Sequence, residues 1–357
     1  MKLNLVQSII LIRHGHRCPL RMFVPIPNLT VKPGFLTPIG MSRAISKGKE
    51  IRNVYKDFSI NEEDIMVVSS NFPRTIETAY YFLQGFLGYS SQNEATIKEK
   101  LEFLYKFKLY RKEKQHDVLI HGYFSYLNPR YQFLFEENNV KLFKEKCLFD
   151  KIQVYKDIIN KFYPNFESNR EVYLLIFMVY DFANCLLKNE ITLPSPLTKE
   201  FCTDLDPVHA LLLEDLYMKD EIIRKLSLHY MMKFLQEKIL QRKEKLILFS
   251  THDINIVALV IGLKFENKGV PDFCDDFRIE ILEDQNSKDI FCQCKYNNNI
   301  LSNSISSLFK LKDFFDLMNQ ECFSSDEEYF KASGRDTPIP KEWITEQLSL
   351  ESELPLN

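Results

Sequence analysis

The sequence predicts an α/β fold, a mostly parallel central sheet flanked by helices with a helical cap subdomain inserted, on three observations. Ile9-Ile10-Leu11-Ile12, Ile65-Met66-Val67-Val68 and Leu246-Ile247-Leu248-Phe249 are unbroken apolar runs, the pattern of strands buried on both faces. Each run gives way to polar residues, which therefore emerge at strand ends, where open α/β sheets bind ligands. Between residues 101 and 204 no strong run of this kind occurs, and helical spacing punctuated by Lys and Tyr takes over.

In order, the first strand ends in Arg13-His14-Gly15-His16-Arg17-Cys18-Pro19, and Pro25, Pro27, Pro33 and Gly34 make 20–34 a loop. Leu36-Thr37-Pro38-Ile39-Gly40 then opens a helix over 41–58, with Ile45, Ile51 and Tyr55 on one face. A second strand over 64–70 is broken by Asn71-Phe72-Pro73, and a helix starts at Arg74. Helical stretches at 141–162 and 172–187 mark the cap, and 206–240 is a long helical return to the sheet. A third strand over 245–251 runs into His252-Asp253, after which Ile254, Val257, Ala258 and Ile261 have helical spacing. Segments 277–282 and 290–296 read as an antiparallel hairpin at the sheet edge, 308–318 as a late helix, and 324–339 as a surface loop. The organisation is thus a core of 1–100 and 205–357 with a mostly helical cap over 101–204.

Composition narrows the function classes. A net charge of -3 over 357 residues offers no electrostatic case for nucleic acid. No segment has the roughly 18–20 uninterrupted apolar residues of a membrane span. Leu3 to Ile12 is apolar behind Lys2 but is interrupted by Asn4, Gln7 and Ser8 and has no small-residue cleavage site, so it reads as a strand and not as a signal peptide. The 29 Phe and 17 Tyr read as core. Eight cysteines are spread without a dense framework, and Cys292-Gln-Cys294 alternates within a strand, so no metal site and no cofactor is expected.

The chemistry concentrates at three strand ends. Arg13 and Arg17 are forked donors suited to phosphate oxygens, His14 between them can act as base or nucleophile, and Gly15 permits close approach of a ligand to the backbone. Arg74 sits at a strand-to-helix turn, and His252 and Asp253 at another.

Arg13-His14-Gly15-x-Arg17-x-Pro19 resembles the signature of the histidine acid phosphatases, the acid branch of the histidine phosphatase superfamily. Leu36-Thr37-x-x-Gly40, the Ser-x-x-x-x-Arg74-Thr75 context, His252-Asp253, and segments near 192–194, 270–280 and 338–343 are similar to the same family, so the resemblance covers most of the chain. It departs at Pro73, where the family usually carries an acidic residue. The resemblance implies an acid phosphatase that hydrolyses phosphate monoesters without metal. His14 would attack phosphorus to give a phosphohistidine, Arg13, Arg17, Arg74 and His252 would hold the phosphoryl oxygens, and Asp253, its pKa raised beside a bound dianion, would protonate the leaving alcohol. The alternatives are a catalytically silent phosphate-binding member and a phytase-like inositol phosphate phosphatase. A mutase or bisphosphatase of the other branch is disfavoured because His252 is followed by Asp rather than Gly.

A small phosphorylated substrate is the implied partner, and a homodimer through a sheet edge is common in the family. His16 and Cys18 fill variable motif positions, and His116, His121, His209 and His229, without motif context, are expected to be structural or exposed. The resemblance places Cys185 near Cys274. Asn128 and Gln347 stand where another disulfide pair is expected, and a third pair near 305–309 is missing. With a lone sequon at Asn28-Leu29-Thr30, this leans towards a reducing, cytoplasmic compartment, the alternative being a lysosomal or secreted enzyme with an incomplete N-terminus.

Overall fold

The computed structural model of the chain describes residues 2–349 apart from 28, 90–94, 123–126, 132, 135–136, 138–140, 142–148, 164–168, 268, 336 and 341–346. Asn28, Cys147, Trp343 and most of 141–148 therefore lie outside the described residues. In chain order the elements are β1 (Leu3–Arg13), α1 (Pro38–Val54), β2 (Ile65–Ser69), α2 (Pro73–Leu87), α3 (Ile97–Tyr105), α4 (Phe149–Phe162), α5 (Asn169–Lys188), α6 (Lys199–Lys219) and α7 (Glu221–Gln241). They continue with β3 (Leu246–Thr251), α8 (Asp253–Gly262), β4 (Asp276–Asp284), β5 (Ile290–Tyr296), β6 (Asn299–Ile300), β7 (Phe309–Lys310), α9 (Leu311–Gln320) and α10 (Asp326–Ser333).

The α/β class with a helix-flanked central sheet holds, but the sheet is mixed rather than mostly parallel. Its order is β2-β3-β1-β4-β5-β6, with β7 also beside β5. β2, β3 and β1 are parallel, with Ile9 opposite Ile247 and Ile65 opposite Leu246, whereas β4 pairs antiparallel with β1 and β5 with β4. The reason is written in the side chains. On the parallel strands both faces are apolar: Ile9, Leu11, Val68, Ile247 and Phe249 join one core, and Ile10, Ile12, Val67, Leu246 and Leu248 join the other. β4 instead alternates. Phe277, Ile279 and Ile281 enter the first core, while Asp276, Arg278 and Glu280 turn to the opposite face, as antiparallel strands commonly do.

That polar face is a buried network beneath α1. Arg278 Nε lies 2.8 Å from Asp276, Lys47 of α1 reaches the same carboxylate at 3.1 Å, and the Tyr55 hydroxyl donates to Glu280 at 2.9 Å. The hairpin extends the sheet outward from β1, and the short β6 and β7 each pair with two residues of its outer strand β5.

One further expectation is refined and another corrected. The helical return is two helices, because Asp220 ends α6 and caps α7 by accepting from the Ile222 and Ile223 amides. Segment 324–339 contains α10, whose Ser325 accepts from the Glu328 amide and whose Gly334 closes it in the left-handed region at φ 73°. Ser325-x-x-Glu328 was the readable signal.

α4, α5 and the first half of α6 share a hydrophobic cluster of their own, including Ile159, Val179, Phe182, Phe201 and Leu205. The second half of α6 adds Leu213, Leu216 and Tyr217 to the main core, so the 204/205 boundary falls inside one helix. Among the described residues no helix is long and apolar enough to cross a membrane.

Candidate active site

The strand ladder continues past its last residues and fixes the first polar cluster. The His14 amide donates to the Thr251 carbonyl at 3.0 Å, and Arg13 exchanges backbone bonds with Asp275 and Cys274. Behind the loop, Thr37 caps α1 and its amide donates to the His16 carbonyl at 3.0 Å. A Cβ on Gly40 would stand 2.0 Å from that same carbonyl oxygen, and one on Gly15 2.9 Å from the Gly40 carbonyl. Leu36-Thr37-x-x-Gly40 thus serves to seat a helix on the loop. Gly15 is required by the Gly40 backbone, a reason for glycine that the sequence did not show.

α2 ties the second cluster to the first. Pro73 occupies the first turn of the helix, where its missing N–H costs nothing, so the departure from an acidic residue leaves the helix start intact. The Thr78 hydroxyl accepts from the Gly15 amide at 2.9 Å and donates to the Arg74 carbonyl at 2.6 Å. The Arg74 guanidinium lies over the Phe72 ring at 4.3 Å. Glu77 accepts from the Leu36 amide at 2.8 Å and pairs with Lys100 at 2.6 Å.

The six residues expected at the site, Arg13, His14, Arg17, Arg74, His252 and Asp253, line one cavity of about 730 Å³. His14 Nδ1 is 3.0 Å from the Gly15 carbonyl oxygen, which can only accept, so Nδ1 carries the hydrogen and Nε2 keeps its lone pair. Burial, and then Arg74, Arg17, His252 and Arg13, hold this imidazole well below its ordinary pKa, hence neutral. His252 stands 5.5 Å from it, ring centre to centre, with Nε2 at 3.1 Å from the Ser70 hydroxyl. Burial and the surrounding cations also keep His252 neutral, so it offers a hydrogen bond and no positive charge.

The raised pKa expected of Asp253 belongs beside a bound dianion, and the chain's own groups act in the other direction. Burial alone would raise it, but Arg13 at 2.8 Å, with His209, the Ile254 amide and Arg17, brings the carboxyl below the usual carboxylate range. Arg17 is likewise engaged: both oxygens of Asp181 on α5 meet its terminal nitrogens, at 2.7 and 3.3 Å.

Several lining residues were missed by sequence reasoning. Asp181, Tyr180, Asp206, His209 and Asp272 all face the cavity, and of these only Asp272 stands in a stretch, 270–280, that the sequence marks out. His209, expected to be structural or exposed, lines the wall, and His121 stacks on His252 at 5.6 Å. Its neighbour Asp117 is pushed up to about 7 by burial. His16 is buried against Phe273 at 4.6 Å and lies outside the cavity lining. Cys185 and Cys274 are free thiols in different surroundings, the first against Arg17 at 3.3 Å, the second in the core cluster around α1 and α2.

The profile of the histidine phosphatase superfamily (branch 2) matches residues 4–297. The chain is 26% identical over 292 residues to prostatic acid phosphatase of Bos taurus, an alignment covering 75% of this chain and 71% of that protein. Among solved structures it resembles the phytase of Klebsiella sp ASR1, with a TM-score of 0.64 and 14% identity over 95% of this chain and 99% of that one. It also resembles the Hafnia alvei phytase in complex with myo-inositol hexakis sulphate, with a TM-score of 0.61 and 14% identity over 90% and 98%.

Proposed function

From the premise that the chain belongs to branch 2 of the histidine phosphatase superfamily, we propose that it hydrolyses phosphate monoesters through a phosphohistidine, with Asp253 as proton donor. The observation that carries this reading is the convergence of three strand ends on one cavity, with a neutral histidine among three arginines.

Phosphate monoesters repel nucleophiles, so the reaction needs charge neutralisation, a positioned nucleophile and a proton for the departing oxygen. Arg13, Arg17 and Arg74 neutralise the phosphoryl oxygens, and His252 adds a hydrogen bond. His14 Nε2, its lone pair held free by the Nδ1 contact to Gly15, forms a bond to phosphorus as the ester P–O bond breaks. The Asp253 proton passes to the leaving alkoxide. Water then attacks the phosphohistidine and returns a proton to Asp253, releasing phosphate and His14.

Arg13 at 2.8 Å favours the charged form of Asp253. A bound phosphate draws on the same guanidinium and sets negative charge beside the carboxyl, which favours the protonated form. Rising pH removes that proton, so activity is greatest in acid. A cytoplasmic placement is part of this reading, supported by Asn128 and Gln347 standing where the family usually carries a disulfide pair.

The test is hydrolysis of p-nitrophenyl phosphate from pH 4 to 8 with EDTA present, joined to acid-labile capture of label from a 32P-ester. An acidic optimum that survives the chelator, with label on histidine, is expected. A native chain inactive at every pH removes the reading.

A further inference from the structure

The substrate class follows from what surrounds the arginines, and it rests on the hydrolase reading above. Arg17 has two usable edges. Asp181 holds the terminal edge with both carboxylate oxygens. The Nε of Arg17, and that of Arg13, are buried without a hydrogen-bond partner among the described residues. The floor therefore keeps buried donors for one phosphate, while the outward fork of Arg17 is closed to another anion.

Along the wall the same pattern repeats. Lys188 pairs with Asp272 at 2.9 Å, and Asp206 accepts from the Tyr180 hydroxyl. Among the described residues lining the cavity, Arg13, Arg17, Arg74 and Lys188 are balanced by Asp181, Asp206, Asp253 and Asp272 before any substrate enters. The rest of the described wall carries no further charged side chain and is largely aromatic or apolar, with Phe177, Tyr180, Leu213 and Val270 beside Asn184 and His209. A second phosphate on the organic half would meet carboxylates whose cations are already engaged, and like charges in such a confined site discriminate strongly.

We propose that Asp181 is a specificity-determining residue that restricts this cavity to esters carrying a single phosphate on an uncharged, aromatic or apolar organic half. The chain thereby departs in substrate from the phytases whose fold it shares.

The experiment compares kcat/KM for p-nitrophenyl phosphate and myo-inositol hexakisphosphate on the full chain at pH 5. The native chain is expected to favour the aryl ester by about 100-fold, and Asp181→Asn to narrow that ratio about tenfold, chiefly through KM for the hexakisphosphate. Native rates within threefold of each other, or a ratio untouched by Asp181→Asn, overturn the inference. Calorimetric titration of the native chain with inorganic phosphate and with inositol hexakissulfate decides the same point without turnover or a variant. Tighter binding of phosphate supports it, and tighter binding of the hexakissulfate overturns it. A chain that cleaves neither ester removes the hydrolase reading, and the titration still reports on selectivity.

Discussion

The floor of the cavity and its wall are held by different parts of the molecule. Arg13, His14, His252 and Asp253 leave strands whose apolar residues, Ile9 to Ile12 and Leu246 to Phe249, are fully buried between two cores. Phe177, Tyr180, Asp181 and Asp206 sit on α5 and α6, which pack in a separate cluster with loop residues such as Phe23 and Ile26. Polar ties join the two regions at a few points: Arg17 to Asp181, Asn189 to the Arg17 carbonyl at 3.1 Å and to the Thr37 hydroxyl, and Lys188 to Asp272. Such an arrangement lets wall residues change without disturbing a floor that a deep core holds in register.

The sharpest way to break the comparison is at the nucleophile. His14→Ala is expected to lower kcat for p-nitrophenyl phosphate on the order of 10⁴-fold with an unchanged melting temperature. A loss under tenfold would mean that another group attacks phosphorus. Next is the proton donor: Asp253→Asn should lower kcat about 100-fold and flatten the fall in activity above the acidic optimum. An unaltered pH profile in that variant would assign the proton to another residue.

The floor is also sensitive where no substrate touches. Gly40→Ala sets a methyl against the His16 carbonyl at 2.0 Å, with backbone on both sides unable to yield. It should destabilise the chain by about 1–3 kcal/mol and depress kcat together with stability, as read by denaturant unfolding. A stable, fully active Gly40→Ala would show that α1 does not seat the loop.

The smallest effect concerns pH and stability. His14, His252 and His121 have pKa values well below the ordinary 6.5 in the folded chain, burial being the largest cause. The unfolded chain therefore takes up protons first as pH falls through about 6.5, and the folded state loses stability in that direction. An anion among the arginines offsets this by favouring the charged form of His252, which sits beside them. Sulfate, dianionic throughout, should raise the melting temperature by about 2–4 °C more at pH 5 than at pH 7.5 at matched ionic strength. Equal gains at both pH values would detach the histidines from the anion site.

Different kinds of information specified the two regions. The floor was legible because local rules coincide there: an apolar run must be a buried strand, its polar terminus must emerge at the strand end, and Arg-His-Gly-x-Arg-x-Pro carries its chemistry in consecutive residues. The antiparallel hairpin was legible in the alternation of Phe277-Arg278-Ile279-Glu280-Ile281, but its antiparallel pairing to β1 was not, because that depends on which edge of β1 is left open. The helix α10 was also available, in Ser325-x-x-Glu328.

By itself, then, the sequence determined the α/β class, the three strand ends and the six residues gathered there, since each depends on neighbours close in the chain. Only the tertiary structure decided that Asp181 closes the fork of Arg17 and that Arg13 holds Asp253 ionised. It also decided that His209 and Asp206 complete the wall. Those pairings join residues 164 and 240 positions apart, and helical periodicity is indifferent to which exposed carboxylate faces a guanidinium. Their partners are chosen by how the helices dock, and docking is set by buried surface summed over the whole fold.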